Sequence, residues 1–303
     1  MINMIATAES AAQAKALLEA GIDTLYIGDN RFGLRMPRSI SKKEMEEIAG
    51  LAHAEHKKVT VAVNGLMHNE HIAQLPDYLT YLQKIGIDAV TVGDPGVIMT
   101  LKELELKLPY IYDAQTLVTS ASQIRFWLKR GAAGAVAARE CTFTELKDMQ
   151  SKLPKPVEVQ VYGPTCIHHS KRKLLTNYYQ FAHINEGVGK ENGLNIRETK
   201  DEGHPYPIYQ DENGTHIFSS EDIALISYLP VLLEAGLDTW KLDGVLMKGQ
   251  DFVNIARLYV EAKQALLAGN FEAQTFADAL RKLQPQSRRL GTGFFLKRPD
   301  AVQ

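Results

Sequence analysis

The chain has 303 residues, 45% of them hydrophobic and 23% charged, a mix that excludes a disordered or fibrous protein and leaves room for one large or two small domains. Its net charge of −2 argues against wholesale coating of nucleic acid, while a local basic patch stays compatible with it. Two cysteines, Cys141 and Cys166, exclude a disulfide framework and fit a reducing cytoplasm, and no run approaches the roughly 18 apolar residues of a membrane span.

The N-terminus, Met1-Ile-Asn-Met-Ile-Ala-Thr-Ala, is apolar but short and lacks a basic n-region, so it reads as a first strand rather than a signal peptide. Strands are then expected near 2–6, 24–28, 58–64, 89–92, 110–113, 134–137, 157–162 and 239–242. Most are short apolar runs, as strands buried on both faces should be. One phrase recurs among them. It reads Glu19-Ala-Gly-Ile-Asp-Thr-Leu-Tyr-Ile-Gly28, then Lys84-Ile-Gly-Ile-Asp-Ala-Val-Thr-Val-Gly93, then Glu234-Ala-Gly-Leu-Asp-Thr-Trp-Lys-Leu-Asp243, with a degraded copy over 129–138. Each copy is a helix end, a glycine suited to a left-handed cap and a short strand. Helices are expected between strands, over 10–20 behind a capping serine, and from the capping box Ser41-Lys-Lys-Glu44 to about residue 56. Others fall near 71–85, 96–107, 120–129 and 142–152. Eight strands alternating with helices predict an α/β fold, a TIM-type (β/α)8 barrel forming a single domain over 1–303. A doubly wound open sheet is the alternative.

The pattern breaks over 163–219, which is rich in Gly, Asn, His and Tyr and falls between the seventh and eighth strands. An insert of that length is usually functional or a small subdomain. Amphipathic helices follow near 252–267 and 271–283. The tail 284–303 carries Arg288, Arg289, Lys297 and Arg298 among prolines and glycines and is expected to be mobile or partner-binding.

A barrel places its active site at the C-terminal ends of the strands. That rule nominates Gly28 with Asp29, Asn64, Asp94, Asp113 with Gln115, Arg139 with Glu140, Tyr162 with Cys166, and Lys241 with Asp243. Asp94-Pro-Gly96 reads better as a helix start, since Asp caps and Pro suits the first turn. Arg139 and Glu140 read either as a structural ion pair or as a rim that suits an anion. Lys241 sits in an apolar strand and needs a partner, which Asp243 or Glu140 could supply. The densest cluster, Tyr162-Gly-Pro-Thr-Cys166-Ile-His168-His169-Ser-Lys171-Arg172-Lys173, offers a thiol beside histidines. Metal site, cysteine nucleophile and loop with a buried free cysteine all remain open there. No HExxH, GxSxG or paired Cys-x-x-Cys motif occurs. Lys171, Arg172 and Lys173 precede Tyr178, Tyr179 and Phe181. Cations interleaved with aromatics fit RNA; a solvated turn before a strand with one buried aromatic face fits somewhat better, since the insert carries about as many acids as bases.

Taken together, Gly21-Ile-Asp-Thr-Leu-Tyr-Ile-Gly28, Phe32-Gly-Leu-Arg35, Val63-Asn64, Asp94-Pro-Gly96, Arg139-Glu140, Tyr162-Gly-Pro-Thr-Cys166 and Leu237-Asp-Thr-Trp-Lys241-Leu-Asp243-Gly244 resemble peptidase family U32, the collagenase-like peptidases. The resemblance covers most of the chain and implies a barrel. It also implies one of two activities: collagen-degrading proteolysis (a hydrolase), or oxygen-independent hydroxylation of tRNA wobble uridine, ribosomal RNA or the ubiquinone ring. The tRNA branch draws on prephenate, and several members hold an iron–sulfur cluster through four cysteines. This short form looks most like the smaller subunit of a tRNA-hydroxylation pair. The family's first cluster cysteine falls on Cys166, its second on Lys173, and the later pair near 192–197, where this chain has Gly-Leu-Asn-Ile. Four thiolates cannot come from this chain alone, so any iron–sulfur cluster is expected in a cysteine-bearing family paralogue. Under this reading Arg139, Glu140, Lys241, Asp243, Cys166 and His168 are the catalytic candidates. Arg35, Asn64, Gln115, Tyr162, Lys171, Arg172, Lys173 and Tyr178 are the candidates for binding tRNA or a small dicarboxylate. No metal ligands are assigned. The alternatives are a peptidase, or a non-catalytic scaffold for the paralogue.

Overall fold

A computed structural model describes residues 2–198 and 201–298. Its first half alternates strands and helices without interruption. The order is β1 (Asn3–Thr7), α1 (Ala11–Glu19), β2 (Thr24–Gly28), α2 (Lys42–Ala54), β3 (Lys58–Val63), α3 (Asn69–Ile72), α4 (Leu75–Lys84), β4 (Ala89–Val92), α5 (Pro95–Glu103), β5 (Tyr110–Tyr112), α6 (Ala121–Leu128), β6 (Gly134–Val136) and α7 (Phe143–Ser151). Helix starts follow the capping residues read from the sequence. Ser10, Ser41 and Ser120 accept from the backbone N–H three residues on, Thr142 forms a capping box with Glu145, and Asp94 caps α5 with Pro95 behind it. Gly21, Gly86, Gly131 and Gly236 of the recurring phrase all take positive φ, which ends each helix and turns the chain into the next strand.

β7 (Val157–Ser170) is long enough to serve two structures. Its first half joins the barrel. β1 to β6 pair in parallel in chain order, β7 pairs with β6, and β11 (Thr239–Leu242) closes the ring between β7 and β1. Closure excludes the doubly wound open sheet. The strand bounds match expectation within two residues, except at β7.

The insert is therefore not loop. Beyond the barrel, β7 continues into an antiparallel sheet with β10 (Gly214–Ala224), β9 (Asp201–Asp211) and β8 (Asn195–Glu198), and α8 (Leu174–Phe181) connects β7 to it. Gly163 marks the departure point. It has φ +110°, and a Cβ there would sit 2.1 Å from the Asp243 carbonyl oxygen, so only glycine lets β7 cross the end of β11. The sheet is tied to the barrel by Asn213, which donates to the Asn30 carbonyl at 2.7 Å, and by Lys190, which donates to the carbonyls of Met36, at 2.9 Å, and Pro37. Burial among these partners lowers the Lys190 pKa to about 8.

After the insert come α9 (Leu229–Glu234), β11, α10 (Gly249–Leu267), α11 (Ala273–Leu283) and β12 (Arg289–Gly291). One core joins the outer faces of the barrel strands to the inner faces of the helices, with Trp240, Tyr259 and Phe252 among its largest buried side chains. The expectation of a mobile tail is corrected for residues up to 298. β12 pairs with β10, Arg288 forms an ion pair with buried Asp222, and Phe295 packs on Phe143 and Tyr228. Residues 299–303 lie outside the described ones. Among the described residues no helix is long and apolar enough to cross a membrane.

Candidate active site at the barrel mouth

The barrel interior is polar in layers. Lowest lies Lys241, 4% exposed, with Nζ 3.5 Å from Glu158 Oε1 and 3.3 Å from the centre of the Tyr26 ring. The Lys241–Glu158 pair is close enough for ion pairing but lacks hydrogen-bond geometry, which leaves Glu158 Oε1 without a hydrogen-bond partner. Burial opposes the lysine charge, and Tyr26, Glu158 and Asp243 outweigh it. The partner of Lys241 is thus Glu158, not Asp243 or Glu140 as the sequence suggests. Below this pair a cavity of about 420 Å³ opens at the opposite end of the barrel. Lys241 is therefore an interior residue, one layer beneath the mouth.

Above it, Tyr26 bonds Thr91 at 2.8 Å, and burial pushes its phenol up to about 12. The Asn64 amide donates to Asp113 Oδ2 at 2.7 Å and accepts from the Leu34 N–H at 3.0 Å. Asp113 Oδ1 accepts from the Gln115 amide at 2.9 Å. Gln115 in turn accepts from Arg35 and, at 3.5 Å, from Arg139. Arg139 also donates to Gln160 and lies 3.5 Å from Asp243 Oδ2. Arg35 and Gln115 both have φ 56°, a left-handed backbone that costs of order 1–3 kcal/mol for a non-glycine residue and clusters at functional sites. Both strained residues aim their side chains at the same point.

These groups line a cavity of about 590 Å³. Arg35, Asn64, Gln115, Arg139, Glu140, Cys166 and His168 all border it, so the structure brings most of the nominated residues to one mouth. Asp243 lies behind, held through Arg139. Arg139 and Glu140 do not pair; Glu140 Oε2 is buried without a hydrogen-bond partner. Tyr162 is elsewhere. Its side chain points outward beneath the helical layer, bonding Gln284 at 2.6 Å and packing on Tyr259, because residue 162 faces away from the barrel axis.

The roof of the cavity comes from the insert. A bulge in β7 pairs Cys166 with Phe218 and His169 with His216 and leaves Ile167 unmatched. Cys166 and His169 therefore share the face of His216, while His168 is exposed. Arg172 and Lys173 are exposed and Lys171 is half-buried at the turn before α8. Leu174, Tyr178 and Phe181 then form an exposed stripe at i, i+4 and i+7, 40%, 59% and 83% exposed. The aromatics sit on a helix, not on the strand allowed as the alternative.

The cysteines do not fit a four-thiolate cluster held by this chain. Cys141 is buried in the core under α7, with its thiol raised to about 12 by burial, and Cys166 stands alone in the insert. No group of three or more metal-ligating side chains occurs among the described residues.

Fold and mouth define a TIM-type barrel whose C-terminal opening, roofed by an antiparallel insert, presents two arginines and a thiol. Solved structures share this fold: the U32 peptidase Mk0906 has a TM-score of 0.51, at 15% identity, over 80% of this chain and 92% of that one. The chain belongs to peptidase family U32, whose family model matches residues 9–303. It is 33% identical to the tRNA hydroxylation protein P2 of Bacillus subtilis (strain 168) over 97% of each. It is 25% identical to tRNA hydroxylation protein P1 of the same organism, over 88% of this chain and 64% of P1.

Proposed function

We propose that this chain is a subunit for oxygen-independent hydroxylation of tRNA wobble uridine. It would use a small dicarboxylate such as prephenate as co-substrate. The observation that carries the reading is the end-to-end likeness to a tRNA hydroxylation protein, joined to a mouth in which Arg35 and Arg139 converge on Gln115. Two guanidinium groups in a concave site suit two carboxylates. Lys171, Arg172, Lys173 and the Tyr178–Phe181 stripe supply cations for phosphates and rings for bases on the outside of the same insert. A cysteine-bearing family paralogue would hold any iron–sulfur cluster.

Titration calorimetry with prephenate tests the dicarboxylate half. Binding that is lost on Arg139→Ala is expected, and no heat with the wild-type chain, alone or with its paralogue, would remove prephenate from the reading.

A further inference from the structure

Cys166, His216 and Asp211 form a connected set that the hydroxylation reading leaves unused. His216 is wholly buried, and its Nε2 bonds Asp211 Oδ1 at 2.9 Å. Its other nitrogen, Nδ1, has no hydrogen-bond partner of normal geometry, yet His216 and Cys166 perturb each other's titration directly. Cross-strand register sets Cys166, opposite Phe218, on the same face of the sheet as His216; its thiol donates to the His168 carbonyl at 3.2 Å and turns from that carbonyl to reach His216 Nδ1, in keeping with catalytic hydrogen bonds that form only when substrate arrives. His169 stacks on His216 with ring centres 4.6 Å apart and planes 3° apart, and it is itself fixed by the Asn213 carbonyl at 2.9 Å. The imidazole of His216 cannot swing away. Burial raises the Cys166 thiol, but His216, Arg35 and Arg139 outweigh that and hold it below the ordinary thiol range. The buried Tyr209 hydroxyl, also without a partner, lies near the same groups.

We propose that Cys166 is a nucleophilic thiolate, with His216 as its base and Asp211 as the positioning residue, that attacks a small electrophile whose carboxylate is held by Arg35 and Arg139. The thiol proton passes to His216 Nδ1. The sulfur electron pair forms an S–C bond to the electrophilic carbon. The displaced pair leaves with the leaving group or enters the electrophile's π system, where the His216 proton neutralises it. No oxidant or reductant is consumed. The base is His216, brought close by the β7 bulge, rather than the exposed His168. The carboxylate half rests on the dicarboxylate reading above; the thiolate half does not.

Peptide mass spectrometry after brief alkylation of the full chain separates the two halves. At pH 7 the folded protein should be modified at Cys166 by iodoacetamide about 10-fold faster than the same cysteine in the guanidinium-unfolded chain, given the larger thiolate fraction and its slightly lower intrinsic nucleophilicity. Iodoacetate, in which iodide leaves as the S–C bond forms, should react faster still, reversing the preference of a free thiol. His216→Asn and Asp211→Asn should each lose most of the acceleration, and Asp211→Glu should recover part of it. Cys141 should stay unmodified while the protein is folded. Folded Cys166 reacting no faster than unfolded Cys166 overturns the proposal outright. Fast reaction without preference for iodoacetate upholds the thiolate and overturns the carboxylate-binding mouth.

Discussion

Lys241 and Glu158 face each other inside the barrel with the Tyr26 ring as third partner. Breaking such a pair strands the survivor. Lys241→Met is expected to cost about 3–5 kcal/mol by leaving Glu158 uncompensated. Burial already raises the Glu158 carboxyl against the pull of Lys241, so in that variant the group binds a proton more readily folded than unfolded. The sign follows: its penalty grows as pH rises above the unfolded carboxylate value. Urea denaturation at pH 5 and pH 8 should show the larger deficit at pH 8, and Glu158→Gln in the same chain should recover much of it. An equal loss at both pH values would show that Lys241 acts through packing alone. Lys190 gives a second pH signature. Its folded value, about 8, lies below the unfolded one, so charge on the buried amine opposes folding at neutral pH. Stability from this group should rise between about pH 8 and 10.5, where only the unfolded chain holds the proton. Lys190→Met should flatten that rise in paired denaturation curves.

The insert is the element that separates this barrel from a bare scaffold. It brings Cys166 and His169 over the mouth, backs them with His216 and Tyr209, and carries Lys171, Arg172 and Lys173 outside it. Replacing the three cations with alanine should weaken tRNA binding and lower the log–log salt slope by about 2, at roughly 0.7–0.9 per phosphate contact. Filter binding across a salt series measures this, and an unchanged slope would place the RNA on another face. The barrel strands were legible in the sequence because each is short, apolar on both faces and announced by the same helix–glycine–strand phrase. Asn64, Gln115 and Arg139 were legible because strand ends in a barrel point to one mouth, whereas Arg35, seven residues past the end of β2, entered only through the family resemblance. The insert was opaque for a physical reason. Its strands lie over the barrel with one polar face, so neither a continuous apolar run nor clean alternation marks them. His216 and Asp211 were missed because a bulge, which no local spacing signals, sets which histidine meets Cys166. Tyr162 was misplaced because the strand-end rule gives position along the barrel and not which way the side chain faces.

At the scale of the molecule, β7 makes barrel and insert one piece: its first half closes the barrel and its second half frames the roof. A substrate gripped by Arg35 and Arg139 would therefore lie between the strained loops of the barrel and the histidines of the insert, with Lys171, Arg172 and Lys173, the cations proposed to meet RNA, on the same insert's outer side. The measurement that reaches this arrangement most directly is nucleoside mass spectrometry of tRNA from a strain lacking this chain, complemented with the wild type or with Arg139→Ala. Arg139 makes a long, 3.5 Å ion pair with Asp243 and otherwise bonds the neutral amides of Gln160 and Gln115, so the variant should keep a melting temperature within about 2–3 °C of the wild type, the shift that about 1–2 kcal/mol produces in a chain of this size. Hydroxylated wobble uridine should vanish in the deletion strain, return with the wild type and stay absent with Arg139→Ala. Undiminished hydroxylated uridine in the deletion strain would contradict the proposed role of the protein in tRNA hydroxylation.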